Sequence, residues 1–271
     1  MSVNTNASDI EFNCFMQDSV QEDSIVVVPY VPPTTITLAA VGDMMLGTNY
    51  PNSSYLHSNP ENILKPAIST LQRADIAFGN LECVLLTEEM KSRKCKTTTN
   101  CYAFKSPESY GGLIADAGVD ILSVANNHVN DFGQTGRNRI ISVLGANNIS
   151  FAGMKECPST IVDVKLDSIT TWRVGFCAFA PNSGCMQLHN KKLMGEIISG
   201  LDTICDLVIV SFHMGAEGQK HEHLSKETEM FLGENRGNPY DLARWAIDHG
   251  GDVVLGHGPH VPRAVDLYKG R

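Results

Sequence analysis

The feature of this sequence that most constrains its fold is the alternation, from residue 35 onward, of short apolar runs with helix-like segments. Several of the apolar runs end in a carboxylate, an amide or an imidazole side chain. Strands that alternate with helices are typical of an α/β domain, and the carboxyl edge of the sheet is where such domains bind ligands. The pattern therefore predicts an α/β fold with a functional site along one sheet edge.

Apolar runs and their flanking turn residues predict the individual elements. The predicted strands cover residues 35–41, 76–79, 120–125, 149–152, 161–166, 172–180, 207–212 and 252–255. The predicted helices cover residues 59–73, 106–118, 134–146, 192–204 and 239–249, with Asn59 as an N-cap and Gly118 as a C-terminal glycine. A polar turn joins residues 161–166 to 172–180, which indicates an antiparallel hairpin attached to the sheet.

The composition is that of a globular chain with an acidic balance. Of the 271 residues, 42% are hydrophobic and 19% are charged, and the formal net charge is −9. A broad nucleic-acid-binding surface needs positive charge, so we expect no nucleic-acid partner. We expect a flexible segment at residues 1–34 and one domain over residues 35–271. Because no apolar leader or membrane-spanning run is visible, we expect a soluble, cytoplasmic chain.

The eight cysteines are scattered and form no CxxC pair. Several lie in apolar, strand-like runs, which favours buried free thiols over a framework of disulfides. Cys95 and Cys101 flank a polar loop and are the one pair for which a disulfide remains open. This pattern of cysteines favours a reducing compartment.

Five predicted strand ends carry side chains that bind metal ions. They present Asp43, Glu82, Asn127 with His128, His213, and the pair His257 and His260. Taken singly, each has a structural alternative, such as a turn aspartate or a buried histidine satisfied by its neighbours. Together they form a set of oxygen and imidazole donors that suits Zn, Mn or Fe. A carboxylate between two such ions would give a pair able to clamp a phosphoryl centre and activate water.

The ordered motifs VGDMMLG, FGNLE, SVANNHVNDFG, VSFHMGAE and VVLGHGPHV resemble those of the capsule-biosynthesis CapA family, also called the poly-γ-glutamate synthesis family. That family is similar to the calcineurin-like metallophosphoesterases. The resemblance runs from about residue 35 to the C-terminus and implies a four-layer αββα sandwich. The chain ends soon after Tyr268, where relatives continue, so the resemblance also implies a C-terminally truncated version of that fold.

The resemblance further implies a site with two divalent ions and a role for each residue. Asp43 and His260 would bind the first ion, and Glu82 would be the bridging carboxylate. Asn127, His213 and His257 would bind the second ion. His128 would be the proton donor or transition-state stabiliser, and Asp131 would fix its tautomer.

One departure from the resembling family concerns the first ion. Metallophosphoesterases have Asp-x-His at the first strand, and Met45 stands here at the third position. A missing histidine would leave the first ion with fewer protein ligands. Members of the family often carry an N-terminal membrane anchor, and none is visible in this sequence.

Two functions remain open at this level. The first is a CapA-type metal-dependent hydrolase that acts on an anionic polymer or phosphoester, with metal-activated hydroxide attacking a phosphoester or amide-like bond. The second is a non-catalytic accessory or polymer-binding protein with a degraded metal site, which Met45 favours. In a purely structural domain, all five strand ends would have to carry metal-binding types of residue at one sheet edge by chance. Ser123 and Ser211 have no obvious base partner, which argues against a serine nucleophile.

Three further features give weaker indications of function. His221, Glu222 and His223 resemble metal ligands but lie in a charged stretch that is typical of a solvated face. Glu217 is expected to orient a metal ligand. The basic stretch KSRKCK at residues 91–96 could contact an anionic substrate or could be a solvated loop.

Overall fold

A computed structural model gives the architecture, and it describes residues 31–32, 35–87, 89–93 and 102–271. Almost all of the segment 1–34 therefore lies outside the described residues, as do Cys95 and Cys101. Residues 33–271 belong to one compact unit. In the described part of the chain no helix is long and apolar enough to cross a membrane.

The described elements follow the predicted alternation of strands and helices. The strands are, in chain order, β1 (Leu38–Met44), β2 (Gly47–Thr48), β3 (Tyr55–Leu56), β4 (Ile76–Leu81), β5 (Val84–Leu85), β6 (Lys105–Ser106), β7 (Ile121–Ser123), β8 (Ser150–Ala152), β9 (Ser159–Lys165), β10 (Thr171–Phe179), β11 (Leu207–His213), β12 (Met230–Phe231), β13 (Glu234–Asn235) and β14 (Val253–His257). The α-helices are α1 (Lys65–Leu71), α2 (Tyr110–Asp116), α3 (Gly133–Ala146), α4 (Lys191–Asp202) and α5 (Pro239–Asp248). Short 3-10 turns occur at Pro60–Asn62 and Gln219–His221.

The first sheet is parallel and has the order β1-β4-β7-β8. All six residues of β4 are buried, as expected for a central strand covered on both faces. Between β1 and β4 the register shifts, so that Ala40 pairs with Phe78 and Asp43 pairs with Asn80. A bulge of this kind turns the side chains that follow it, and here it lies immediately before Asp43.

The second sheet has the order β14-β11-β10-β9 and is mixed. Strands β10, β11 and β14 are parallel, and β9 pairs antiparallel with β10. The predicted hairpin of residues 161–166 and 172–180 is thus confirmed. Side chains alternate along β10: Phe176 belongs to the core shared with the first sheet, whereas Cys177 and Phe179 belong to a separate core beneath the helices.

The two sheets pack face to face and helices cover their outer faces. Phe78 of β4 and Phe176 of β10 meet edge to face across the interior, with ring centroids 5.7 Å apart. Helices α4 and α5 pack on the second sheet, and α1 and α3 pack on the first. The architecture is therefore the expected α/β fold with four αββα layers.

Three element predictions needed correction. The helix predicted over residues 106–118 begins later, at Tyr110, because Ser106 is paired in β6. The predicted helix over residues 59–73 is wrong in extent, because a 3-10 turn at Pro60–Asn62 precedes the shorter α1. Pro66 explains the break, since it has no N–H to donate to the carbonyl of Asn62 and its ring crowds that carbonyl, so a helix can begin near the proline but cannot continue through it. Asn59 makes no capping hydrogen bond through its side chain. The first strand runs three residues later than predicted, so Asp43 lies within β1 rather than after it.

We expect Phe176→Ala to lower the free energy of unfolding by about 3–5 kcal/mol, because it opens a cavity between the sheets where the side chain is fully buried. Urea unfolding followed by tryptophan fluorescence measures the change. Ile169→Ala is the control: this side chain is exposed in the β9–β10 turn, and its loss should change stability by no more than about 0.5 kcal/mol. Equal effects for the two variants would contradict the proposed core.

Candidate metal centre

Strand ends from both sheets meet at one place in the structure. Asp43 comes from β1 and Glu82 follows β4 in the first sheet, whereas His213 ends β11 and His257 ends β14 in the second. His213 and His257 are direct partners in the β11–β14 register. Parallel strands place their carboxyl ends at the same edge, so the polar ends of the two sheets converge.

The first group of potential ligands consists of Asp43, His213 and His257. Asp43 Oδ1 lies 3.3 Å from His257 Nδ1 and 3.7 Å from His213 Nδ1, and the two imidazole nitrogens are 3.0 Å apart. Ligands about 2.0–2.1 Å from a tetrahedral zinc ion are separated by roughly 3.3 Å. The three atoms therefore already have the mutual spacing that one small divalent ion requires.

His213 is the most deeply enclosed of these donors. Its side chain is fully buried, and its Nε2 has no hydrogen-bond partner among the described residues. Burial lowers the pKa of His213 well below its usual value, and the neighbouring His257 lowers it further. The imidazole is therefore neutral at physiological pH, which is the form that binds metal ions.

Ser211 fixes the orientation of His257. Its Oγ lies 2.8 Å from His257 Nε2, and His257 Nδ1 faces Asp43. The expectation that Ser211 has no base partner is thus wrong, because β11 and β14 bring the two side chains together. Ser211 is fully buried, however, so its hydroxyl is closed to any substrate and serves to hold the ring.

The second group consists of Asp43, Glu82 and His260. It contains the ligands that the resemblance implied for the first ion, whereas His213 and His257 of the first group were implied for the second; hereafter each ion takes the number of its group. Asp43 Oδ2 lies 3.0 Å from His260 Nδ1 and accepts a hydrogen bond from the Gly258 backbone at 3.1 Å. Gly258 has φ +106, and a Cβ at this position would come within 3.0 Å of His213 Nε2. The carboxylate common to both groups is Asp43, whereas the resemblance gave the bridging position to Glu82.

Opposite charges stabilise the arrangement of the second group. The hydrogen bond to Asp43 raises the pKa of His260 to about 9, although burial acts to lower it. Burial acts to raise the pKa of Asp43, but hydrogen bonds to His257 and His260 outweigh this effect, and the pKa lies well below its usual value. Asp43 is therefore ionised and His260 protonated at neutral pH.

His128 lies beside the second group and is held from three sides. Its Nδ1 is 2.7 Å from Asp131 Oδ2, and its Nε2 is 4.0 Å from Glu82 Oε1. The ring stacks on Phe104, with centroids 4.0 Å apart. Asp131 also accepts a hydrogen bond from the Phe104 backbone at 2.8 Å. The buried carboxylate thus fixes both the ring and the aromatic side chain stacked on it.

Two buried asparagines connect Asp43 to the loop that carries His128, and sequence reasoning gave neither of them a role. Asn80 Nδ2 donates to Asp43 Oδ1 at 2.8 Å, and Asn126 Nδ2 donates to Asn80 Oδ1 at 3.2 Å. Asn126 Oδ1 in turn accepts from the His128 backbone at 3.0 Å. The only sequence indication was their place within the motifs FGNLE and ANNH.

The second group opens into a cavity of about 1130 Å³. His213 and His257 are buried behind Asp43 and do not line it. The lining includes Asn127, the remaining predicted ligand, together with Met45, Arg93, Glu217 and Arg236. Glu217, expected to orient a ligand, has Oε2 4.0 Å from His260 Nε2. The cavity therefore gives solvent and substrates access to the second group and to His128.

Other predicted features lie elsewhere. Among the described residues, neither potential metal group includes His221, Glu222 or His223. Glu222 and His223 are exposed. Five cysteines, three of them buried, are free thiols in the described residues: Cys83, Cys157, Cys177, Cys185 and Cys205. Burial raises the pKa of Cys83 to about 12, so its thiol is unreactive at neutral pH.

Comparison with protein families identifies the chain. Residues 37–271 match the family described as "Bacterial capsule synthesis protein PGA_cap". This match covers most of the sequence. The chain belongs to the PGA_cap family. The family assignment made from the five motifs is therefore confirmed.

Relatives within the PGA_cap family are distant in sequence. The capsule biosynthesis protein CapA of Bacillus anthracis is 23% identical over 91% of this chain and 60% of its own length. The PGA biosynthesis protein CapA of Bacillus subtilis (strain 168) is 21% identical over 87% of this chain and 60% of its own. This chain therefore spans about 60% of the length of these curated relatives.

Among solved structures, a putative 5'-nucleotidase from Staphylococcus aureus in complex with alpha-ketoglutarate matches with a TM-score of 0.46 and 11% identity. The match covers 83% of this chain and 45% of that one. At this TM-score the likeness is too weak to carry an inference about the fold or the site.

We expect ion binding at the second group to strengthen with pH. His260 must lose its proton to bind an ion, so apparent affinity should rise up to tenfold per pH unit below about 9 and level off above it. His213 is already neutral and should contribute no such dependence. Calorimetric titrations with Zn²⁺ in buffers of different ionisation enthalpy measure the protons released.

His260→Asn is the matched variant, because it removes the titrating imidazole and leaves the first group intact. It should abolish the proton release that accompanies binding of the second ion. A wild-type affinity that stays constant between about pH 6.5 and 8.5 would contradict the assignment.

Proposed function

We propose that this protein is a metal-dependent hydrolase that takes part in the synthesis or processing of a capsule polymer such as poly-γ-glutamate. The observation that carries the proposal is the convergence of two ligand groups on one carboxylate, Asp43, beside the His128–Asp131 pair. Family membership supports the biological setting. The proposed substrates are phosphoester or amide-like bonds within an anionic chain.

The donor chemistry fits two divalent ions of the Zn, Mn or Fe class. Asp43, His213 and His257 offer one oxygen and two nitrogens, whereas Asp43, Glu82 and His260 offer two oxygens and one nitrogen. The mutual spacing of Asp43 Oδ1, His213 Nδ1 and His257 Nδ1 in the first group supports this fit. When bound, such ions activate water and polarise phosphoryl or carbonyl oxygens.

His128 is the residue of this chain that we propose to move a proton. Asp131 accepts a hydrogen bond from Nδ1, so the tautomer with the proton on Nδ1 is favoured and Nε2 faces Glu82. In its protonated form, His128 can donate from Nε2 to the oxygen or nitrogen of a leaving group. Stacking on Phe104 limits rotation of the ring and keeps Nε2 directed to that side.

The position of Arg93 favours a substrate that carries negative charge. Arg93 lines the cavity and is exposed to solvent. Its backbone N–H donates to Asp131 O at 2.8 Å, which anchors it next to the partner of His128. The side chain packs over Gly133, where a Cβ would come within 2.6 Å of Arg93 Cδ. A guanidinium at this place can bind a carboxylate or phosphate of the substrate.

The alternative function is a non-catalytic accessory protein that binds the polymer. Met45 favours it, because its Sδ accepts a hydrogen bond from the Gly47 backbone at 3.3 Å and its thioether is a poor ligand for hard ions. The second group then has three protein donors instead of four. In this case the cavity would bind the polymer without cleaving it.

Metal analysis and a substrate screen separate the two functions. The purified protein should contain up to two tightly bound ions and should cleave phosphodiester, phosphomonoester or γ-glutamyl amide probes. His128→Ala should lower kcat by about 10²–10⁴-fold with ion content unchanged, since His128 is not a proposed ligand. His257→Ala should lose ions as well as activity. His57→Ala, at an exposed turn, is the control.

Ion content decides the result. A protein without tightly bound metal, whose His128→Ala and His257→Ala variants behave like wild type, would overturn the hydrolase proposal. Polymer binding without cleavage in a metal-loaded protein would instead favour the accessory function.

We expect Arg93→Ala to weaken binding of a short γ-linked oligoglutamate about tenfold at low salt, because one charge-assisted contact is lost. The effect should shrink with ionic strength and should be absent for the oligomer with amidated side chains. Arg73→Ala is the matched control, since this exposed arginine donates to Ser69 within its own helix region. Equal losses for the charged and amidated oligomers would contradict the assignment of Arg93.

A further inference from the structure

His260 differs from the other two histidines in how it is held. His213 and His257 lie in paired strands, whereas His260 follows β14 by three residues and is 45% exposed. Its backbone has φ 56, a left-handed conformation that is unfavourable for a residue with a Cβ. The surroundings must therefore hold this residue at its distance from Asp43.

An ion pair lies just beyond His260 in the chain. Arg263 Nη1 donates to Glu229 Oε1 at 3.1 Å and Nη2 donates to Oε2 at 3.0 Å. The Arg263 side chain is 11% exposed and that of Glu229 is 7% exposed. A bidentate pair in so enclosed a place has a strict geometry, because each charge would be strongly penalised without the other.

The same pair holds the loop that follows His213. Ala216 N donates to Glu229 Oε2 at 2.7 Å, and Arg263 Nη2 donates to Ala216 O at 2.9 Å. A Cβ at Gly215 would come within 2.8 Å of Arg263 Nη1, so the backbone packs directly on the guanidinium. The pair thus joins three segments: the loop after β11, the residue before β12, and the segment after His260.

Two further contacts fasten His260 to the β11 loop. Gly218 N donates to Pro259 O at 2.9 Å, one residue before the histidine. Arg236, which is buried, donates from Nη2 to Glu217 Oε1 at 3.2 Å, and the other Glu217 oxygen lies 4.0 Å from His260 Nε2. These contacts can hold the histidine only while the β11 loop itself is fixed, and Glu229 and Arg263 fix it.

We propose that Glu229 and Arg263 are positioning residues for the second ion: their pair holds the His260 segment against the β11 loop so that the imidazole faces Asp43. Neither residue belongs to the two ligand groups. The inference rests on the proposed function in assuming that the second group binds an ion. It assigns control of that ion to a pair that sequence reasoning did not single out.

The decisive variant is the double substitution Glu229→Leu with Arg263→Met. Replacing a whole buried ion pair by apolar side chains is often neutral for stability, whereas removing one partner leaves a buried charge. The double variant should therefore stay folded but lose the fixed position of His260. Equilibrium dialysis with Zn²⁺ should show the first ion bound as in wild type and the second at least tenfold more weakly.

Two further variants separate positioning from general stability. Arg263→Lys keeps the charge without the bidentate contact, so it should give an intermediate affinity for the second ion. Ile198→Ala destabilises the core beneath α4 and alters neither ligand group, so it should leave both ion affinities unchanged in the folded protein.

The outcomes are distinct. A double variant that binds both ions with wild-type affinities, or that loses both ions equally, would overturn the positioning role while leaving the proposed function standing. A wild type that binds no ion would overturn the proposed function, and this inference with it.

Discussion

The rest of the site depends on the contacts that the Asp43 carboxylate makes. It receives two amide hydrogen bonds and faces three imidazoles, those of His213, His257 and His260. The carboxylate comes from the first sheet and the imidazoles come from the second sheet and the loop after it. Since its two oxygens serve different ligand groups, the bulge in β1 that directs this one side chain determines whether both groups can form.

The polar site lies directly beside the apolar core between the two sheets, so its buried polar groups need hydrogen-bond partners. The core between the sheets is apolar up to Phe78 and Phe176, yet the strand ends immediately above it carry ionisable side chains. Buried polar groups are tolerated only when they are satisfied. The asparagines Asn80 and Asn126 meet this demand by linking the ends of β1, β4 and β7 through side-chain amides, which adds no further charge near Asp43.

The sequence predicted the architecture and the family, because strands alternate with helices and the motifs are those of PGA_cap proteins. It also predicted that polar strand ends meet, since parallel strands place their carboxyl ends at one edge; the role of each residue stays a prediction. It could not predict contacts between residues far apart in the chain. The Glu229–Arg263 pair spans 34 positions, and Ser211 reaches His257 across 46. The position of the first strand and the break near Pro66 were missed for another reason. The predicted boundaries came from local propensity, whereas in the structure the register of β1 against β4 and the geometry of Pro66 determine where these elements begin and end.

Burial decides which chemistry Ser211 can perform with His257 and Asp43. Their order of contacts, hydroxyl to Nε2 and Nδ1 to carboxylate, is that of a serine nucleophile with its base. Ser211 has no exposed surface, so no substrate can reach its oxygen. A hydroxyl both donates and accepts hydrogen bonds. It can therefore donate to Nε2 while Nδ1 carries the proton, and it would accept from Nε2–H if Nδ1 were the atom that held an ion. Ser211 is therefore placed to hold the His257 ring in either tautomer, which favours a positioning role over that of a nucleophile.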